Sequence, residues 1–285
     1  MAIALPVRRQ NRVLQRLKQR PVVLAAFAVL GLFVILAVAG PLFSPYDPYT
    51  LIPGAVMQPP SWEFPFGTDE LGRDVFSRVI HGSRISIRIA LVTVSIPLVL
   101  GGTVGLVAGF YGGLLDVVLM AVMEVMLAFP QILLAIAILA MLGPSLVNAM
   151  IAVGLSAVPV YARTARGTTL SVKSMGYVEA AKALGAGDIR ILLKHILPNI
   201  FPPLIVLATA GVGISLLIAA GLSYLGLGAQ PPTPEWGAML SEARAYLRNA
   251  WWMATFPGLA ITLVVLSLNV CGDWLRDFLD PRLRV

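Results

Sequence analysis

Residues able to do covalent chemistry are scarce in this chain. Of 285 residues only two are histidine, His81 and His195, and one is cysteine, Cys271. No H-E-x-x-H puts two imidazoles on one helical face, so a zinc hydrolase is not expected. The single thiol excludes an intramolecular disulfide and any C-x-x-C motif; in its apolar run it reads as a small buried side chain. No G-x-x-x-x-G-K-[ST] is present to cradle nucleotide phosphates, and the pairs Gly101-Gly102 and Gly112-Gly113 lack the lysine. An intramembrane hydrolase would need a nucleophile and a base side by side. Asp116 and Glu124, eight residues apart, would lie at different depths and make a poor dyad. No enzyme active site is expected.

The polar residues concentrate instead in one insert, YVEAAKALGAGDIRILLKHILPNI, Tyr177 to Ile200. Its pattern is helix, break, helix. Ser171 to Leu184 is helix-compatible, Gly185-Ala186-Gly187 interrupts it, and Asp188 can cap a second helix running to Leu197, where Pro198 ends it. Ala181 and Gly185 share a face with Ala180 beside them, so another backbone could approach closely, and Glu179 offers a charge. Two readings fit these residues: a short docking lug, or a solvated loop rich in alanine because alanine favours helix.

What positions this insert is a membrane. The chain is 58% hydrophobic and 12% charged, with a mean hydropathy of +0.86; soluble domains carry about 25% charged residues. A helix needs about 20 apolar residues to cross the hydrocarbon core. Six segments qualify: Pro21–Phe43, Ile89–Tyr111, Val117–Leu142, Ser145–Tyr161, Leu197–Leu227 and Met253–Leu275. Pro159 is expected to distort the fourth and Pro202-Pro203 the start of the fifth. The fold class expected is therefore all-α and polytopic.

Most of the 21 Lys and Arg residues fall in three places. These are the arm 1–20 (Arg8, Arg9, Arg12, Arg16, Lys18, Arg20), the loop 163–197 (Arg163, Arg166, Lys173, Lys182, Arg190, Lys194) and the tail 276–285 (Arg276, Arg282, Arg284). Cytoplasmic enrichment of basic residues puts all three inside, giving N-in, C-in. The same bookkeeping explains the net charge of +7 without nucleic acid. A basic arm, an apolar run and Ala37-Val38-Ala39 resemble a secretory signal, but the run is longer than the usual ~7–15 residues and is expected to be retained.

Two outer loops are large enough to fold. In the first, 44–88, the stretch from Glu70 onward reads as an amphipathic helix lying on the outer surface, with Leu71, Val75, Val79 and Ile80 at helical spacing. The second combines a proline turn, a short helix and a Trp251-Trp252 interfacial anchor. The glycines Gly101, Gly102, Gly105, Gly109, Gly211 and Gly213 suit close helix packing. Glu124 is a costly residue to place in a span; it is read either as lining a pathway or, preferred here, as a helix contact or a residue near the interface. Asn148 and Asn269 are weaker versions of the same case.

One further observation bears on the insert. "EAAKALG" followed nine residues later by "HILP" resembles the signature of permease subunits of bacterial ABC importers: E-A-A, three residues, G, nine residues, I, any residue, L-P. Glu179, Ala180, Ala181, Gly185, Leu197 and Pro198 match, and His195 stands where the signature has Ile. "FGTDELGRDVFSRVIHGSRISI" and "GLSYLGLGAQPPTPEWGAML" are similar to the C-type permease of dipeptide and oligopeptide importers, a group with nickel and glutathione relatives. The resemblance covers nearly the whole chain. It implies the MetI-like type I permease fold in the bacterial cytoplasmic (inner) membrane, with residues 89–275 as the core. It implies as partners a second homologous permease, two P-loop ATPase subunits that bind ATP and magnesium, and an extracytoplasmic substrate-binding protein. This chain would need no cofactor. The loop at 163–197 would couple to the ATPase. Rival readings are an ion-gradient-driven secondary transporter, which would show repeated halves and intramembrane charges, and a membrane scaffold.

Overall fold

A computed structural model describes residues 20–279; the arm residues 1–19 and the tail residues 280–285, with Arg282 and Arg284, lie outside the described residues. The described chain is helical: α1 (Pro21–Phe43), α2 (Val75–Tyr111), α3 (Gly113–Leu127), α4 (Gln131–Leu142), α5 (Leu146–Lys173), α6 (Gly176–Ala183), α7 (Asp188–Ile191), α8 (Leu197–Tyr224), α9 (Trp236–Ala243) and α10 (Trp252–Leu279).

Five helices, or helix pairs running on, are long and apolar enough to cross a membrane alone. The expected third span is not one helix, because α3 and α4 are bent by 98° at Ala128–Pro130. Pro130 disfavours a helical conformation in the residue before it and cannot donate to the ladder. Packing decides what this bent pair is. Along α2, Gly101 approaches Val158, Gly105 approaches Ala165 and Gly109 approaches Thr169, so α2 and α5 run parallel. The chain leaves α2 at one end and enters α5 at the other, so α3 and α4 together make the return crossing. The count of six expected from hydropathy stands, with one span broken.

The parallel pair α2–α5 is the centre of the fold. At Gly101 an added Cβ would lie 2.6 Å from the Val158 carbonyl oxygen, and at Gly109 it would lie 2.8 Å from Thr169 Cβ. Small residues at i, i+4 and i+8 let two backbones touch where lipid gives no hydrophobic drive. Gly102 meets Leu204 of α8, and Gly213 meets Asn269 of α10. Asn148 donates to the Leu142 carbonyl at 2.8 Å and to the Gly143 carbonyl, closing the end of α4 rather than lining a path. At one end of the bundle Arg20 meets Asp277 at 3.2 Å, so the start of α1 and the end of α10 share a side.

Several boundaries differ from the expectation. No helix starts at Glu70; Asp74 caps α2 by accepting from the Ser77 N–H at 2.8 Å, and the helix runs unbroken to Tyr111. The helix expected within the loop 44–88 therefore starts at Val75 and is continuous with the second span, and Leu71 is exposed rather than on an apolar helix face. Helix α5 passes through Pro159 to Lys173. Before α8, a π-helical stretch Leu192–Ile196 takes up the register ahead of Pro198, whose missing N–H would break an α ladder; the helix continues and does not end there.

The two outer loops form one cap. Trp236 Nε1 donates to the Val79 carbonyl and Trp252 Nε1 to the Thr68 carbonyl, each at 3.0 Å. Only Trp251 of the expected tryptophan anchor is exposed; Trp252 is buried, because its indole N–H finds an acceptor inside the cap. Arg73 and Arg78 are both 1% exposed and share Glu242 at 3.3 and 3.0 Å, while Asp69 meets Arg73 Nε at 2.6 Å.

Candidate coupling site

The Glu-Ala-Ala turn sits at the end of the bundle that holds the C-termini of α2 and α5. Val178 of α6 and Ile191 of α7 are buried against Phe110, Val172, Ile196 and Ile200. Lys173 Nζ donates to the Phe110 carbonyl at 2.5 Å, a cation closing the C-terminal end of α2, and lies 5.6 Å from the Phe110 ring centre. The insert is therefore seated on the central helix pair and not suspended from a loose loop.

Its first helix is shorter than expected: α5 stops at Lys173 and α6 begins at Gly176. Gly185 adopts φ +80°, and the Ala186 N–H bonds the Ala181 carbonyl at 3.0 Å, which closes α6 with a left-handed glycine cap. Gly185 is thus required for the turn before any docking role is considered. Asp188 does not cap α7; Gly187 holds that position and Asp188 is the first helical residue, favourable there beside the positive helix end.

Glu179 and Ala180 are exposed, Ala181 is half-buried, and Gly185 faces open space. Leu197 is half-buried and Pro198 exposed, immediately after the π-helical stretch. Glu179, Lys173, Lys182 and Asp188 ring a cavity of about 370 Å³ whose floor is Phe110, Val178 and Ile191. Three apolar residues that sequence reasoning passed over, Leu184 (89% exposed), Ile189 (71%) and Leu193, project around the turn. Their signal was an apolar residue inside a polar segment. His195 also gains a reason. Its ring centre lies 5.9 Å from that of Tyr177, and Asn199 bonds both the Tyr177 hydroxyl (3.2 Å) and the His195 carbonyl (2.6 Å), tying the two arms together.

Asp116 and Glu124 do not meet. Asp116 accepts from Arg166 Nε and Nη2, both at 2.6 Å, joining α3 to α5 near the same end of the bundle. Glu124 is exposed on α3, close enough to Arg166 for Coulomb attraction. Among the described residues no group of three or more His, Cys, Asp or Glu side chains could hold a metal ion.

Residues 101–285 match the family described as the binding-protein-dependent transport system inner membrane component, and residues 11–60 the N-terminal transmembrane domain of oligopeptide transport permease C. The dipeptide transport system permease protein DppC of Alkalihalophilus pseudofirmus is 44% identical over 95% of this chain and 89% of its own length. The di/tripeptide transport system permease protein DppC of Pseudomonas aeruginosa is 46% identical over 89% and 86%. The glutathione transport system permease protein GsiD of Pectobacterium atrosepticum is 44% identical over the same shares. The fold is that of a chain of the inward-facing MetNI methionine ABC transporter, with TM-score 0.56 and 22% identity over 71% of this chain and 96% of that one. The ion-driven and scaffold readings fall with these matches. This chain belongs to the inner-membrane permease subunits of binding-protein-dependent ABC importers, multi-pass proteins that leave ATP hydrolysis to separate chains.

Proposed function

We propose that this permease imports dipeptides or oligopeptides, glutathione-like peptides included. It works as one half of a pair with a homologous but distinct permease, two ATPase chains and an external binding protein. The relatives named above carry such substrates, and none of their identities separates free dipeptides from glutathione. The observation that carries the coupling role is the seated Glu-Ala-Ala turn with Glu179, Ala180 and Leu184 facing outward at the basic end of the bundle.

In this reading ATP binding closes the ATPase pair and carries the turn. Because Val178 and Ile191 rest on Phe110, and Lys173 holds the end of α2, motion of the turn moves α2 and α5 together. The path then opens outward, takes substrate from the binding protein, and reopens inward after hydrolysis. Ala180, Ala181 and Gly185 allow a close seat in the ATPase groove; Glu179 supplies the charge; Leu197 and Pro198 set the start of α8. Glu124, too costly to face lipid, faces water or the second permease. The chain divides accordingly into the arm 1–20, α1, the outer cap segment 44–74, the core to α10 and the tail.

The test compares two substitutions in uptake and in ATPase activity of the purified complex. Ala180→Trp adds bulk with no backbone strain, whereas Gly185→Ala adds strain of about 1 kcal/mol with little bulk. Docking requires that Ala180→Trp abolish uptake while the chain still inserts, and that Gly185→Ala reduce it far less. Normal uptake by Ala180→Trp or by Gly185→Trp would remove the coupling role.

A further inference from the structure

One face of α2 is covered by nothing else in the described chain. Arg84, Arg88, Leu91, Ser95, Val99 and Thr103 are all exposed and recur every three or four residues, one stripe about 28 Å long. The depth of its two arginines follows from α1, which packs antiparallel to α2. Gly40 touches Ile80, and Leu30, Phe33 and Val34 share a slot with Ser86, Ile87 and Ala90. Arg88 is thus level with about Leu32, eleven residues short of the outer end of α1 at Phe43. That is roughly 16 Å along an apolar helix, more than twice the reach of an arginine side chain. A guanidinium facing lipid at that depth could not snorkel out, so this face meets water or protein.

The same segment shows how this chain treats arginines that it means to neutralise. Arg73 and Arg78 are buried and shared among Asp69, Glu70 and Glu242. Arg84 and Arg88 make no ion pair among the described residues. One turn apart on one face, they are spaced to reach a common ligand, and the planar fork of a guanidinium matches a carboxylate. A tightly packed helix contact is an inferior explanation. The small residues of α2 that allow one, Gly101, Gly105 and Gly109, point at α5, while this stripe alternates long apolar side chains with hydroxyls and cations.

We propose that Arg84 and Arg88 receive the free C-terminal carboxylate of the incoming peptide near the outer mouth of the path, and that the stripe below them forms one wall of it. The carboxylate is the anionic group that all unmodified peptides share, so a cation pair reads it without regard to side chains. This assignment rests on the peptide-import reading above.

The experiment measures uptake of dialanine and of dialanine amide by cells carrying the full transporter. Each variant's acid-to-amide ratio is compared with the wild type's, so that selection by the binding protein cancels. The Arg84→Gln/Arg88→Gln variant should lose at least tenfold in dialanine uptake with amide uptake little changed, and Arg84→Lys/Arg88→Lys should recover much of the loss. Equal loss of both substrates, with loss of the co-purifying permease, would reassign the pair to a subunit contact and overturn the proposal. Unchanged uptake of both would overturn it as well. A second readout does not depend on the substrate. In a Cys271→Ser background, the Arg88→Cys variant should react with a membrane-impermeant methanethiosulfonate, and the Val34→Cys variant, close in depth on α1, should not. No reaction at position 88 would refute a wet stripe. A wild-type transporter that ignores dialanine yet labels at position 88 would instead sink the peptide reading, and the carboxylate role with it.

Discussion

Replacing Gly105 tests whether the α2–α5 contact is the keel of this permease. A Cβ at that position would fall inside the contact radius of the Ala162 carbonyl oxygen, 2.6 Å from Ala165 Cβ and 2.7 Å from the Arg166 N–H nitrogen. Two of these three neighbours are backbone, which cannot swing aside as a side chain can. The helices must part by about 1 Å to restore ordinary carbon contacts of ~3.5–4 Å. That opening also loosens Gly101 and Gly109 and pulls Arg166 from Asp116, now bonded at 2.6 Å. Overpacking costs about 1–3 kcal/mol, offset by up to about 1 kcal/mol because alanine suits a helix better than glycine. Because two of the neighbours are backbone the upper end applies, so Gly105→Ala should lose about 2 kcal/mol and Gly105→Leu more than about 3 kcal/mol. At roughly 2–4 °C per kcal/mol, the alanine variant melts several degrees lower, measured by thermal unfolding of the purified chain in detergent. Gly31 of α1 is the control, since nothing lies within 4 Å of its added Cβ; Gly31→Ala should be neutral or slightly stabilising. Equal melting of the Gly31 and Gly105 alanine variants would refute the close-contact argument.

Other outcomes follow from the outer cap. Glu242→Gln leaves Arg73 and Arg78, both buried, with Asp69 and Glu70 alone. Breaking such a network costs about 3–5 kcal/mol, so hydrogen exchange over residues 67–80 and 236–243 should speed markedly; Glu242→Gln with unchanged protection would contradict it. Burial raises the carboxyls of Asp74 and Glu235, which cap α2 and α9, above their ordinary range. Folded, these groups hold protons more tightly than in the unfolded chain. Their contribution is therefore complete below about pH 4 and fades as pH rises through the raised values. Protection of the cap amides should accordingly be greater at pH 5 than at pH 7 once intrinsic exchange is corrected, and the reverse order would reject it. Breaking the Asn199 link with Asn199→Ala should loosen the two arms of the coupling turn and raise ATP hydrolysed per peptide imported; an unchanged ratio would show that the link is dispensable.

Much of this molecule was legible in its residues, for reasons that are local. Apolar run length gives the crossings, and the Glu-Ala-Ala spacing with Gly185 gives the turn. Pro130 was equally visible, yet apolar composition on both sides hid a 98° bend, because hydropathy sums over a window and is blind to direction. The outer cap was misread for a different cause. Arg78 and Glu242 are 164 residues apart, and no periodicity links them. Asp74 ends the loop and starts α2, but the helical spacing of Val75, Val79 and Ile80 had drawn the boundary back to Glu70. Trp252 looked like an interfacial anchor until its N–H found Thr68, a partner 184 residues away. The depth of Arg84 and Arg88 needed α1 beside α2 to be seen at all.

The coupling role depends on what grips the Glu-Ala-Ala turn. A photoreactive benzoyl-phenylalanine placed at Leu184, the most exposed large apolar side chain of that turn, reports this in living cells. Irradiation should yield one dominant adduct, and mass spectrometry should identify its partner as a cytoplasmic chain with a P-loop. Adducts with lipid or extracytoplasmic proteins alone would contradict the coupling role.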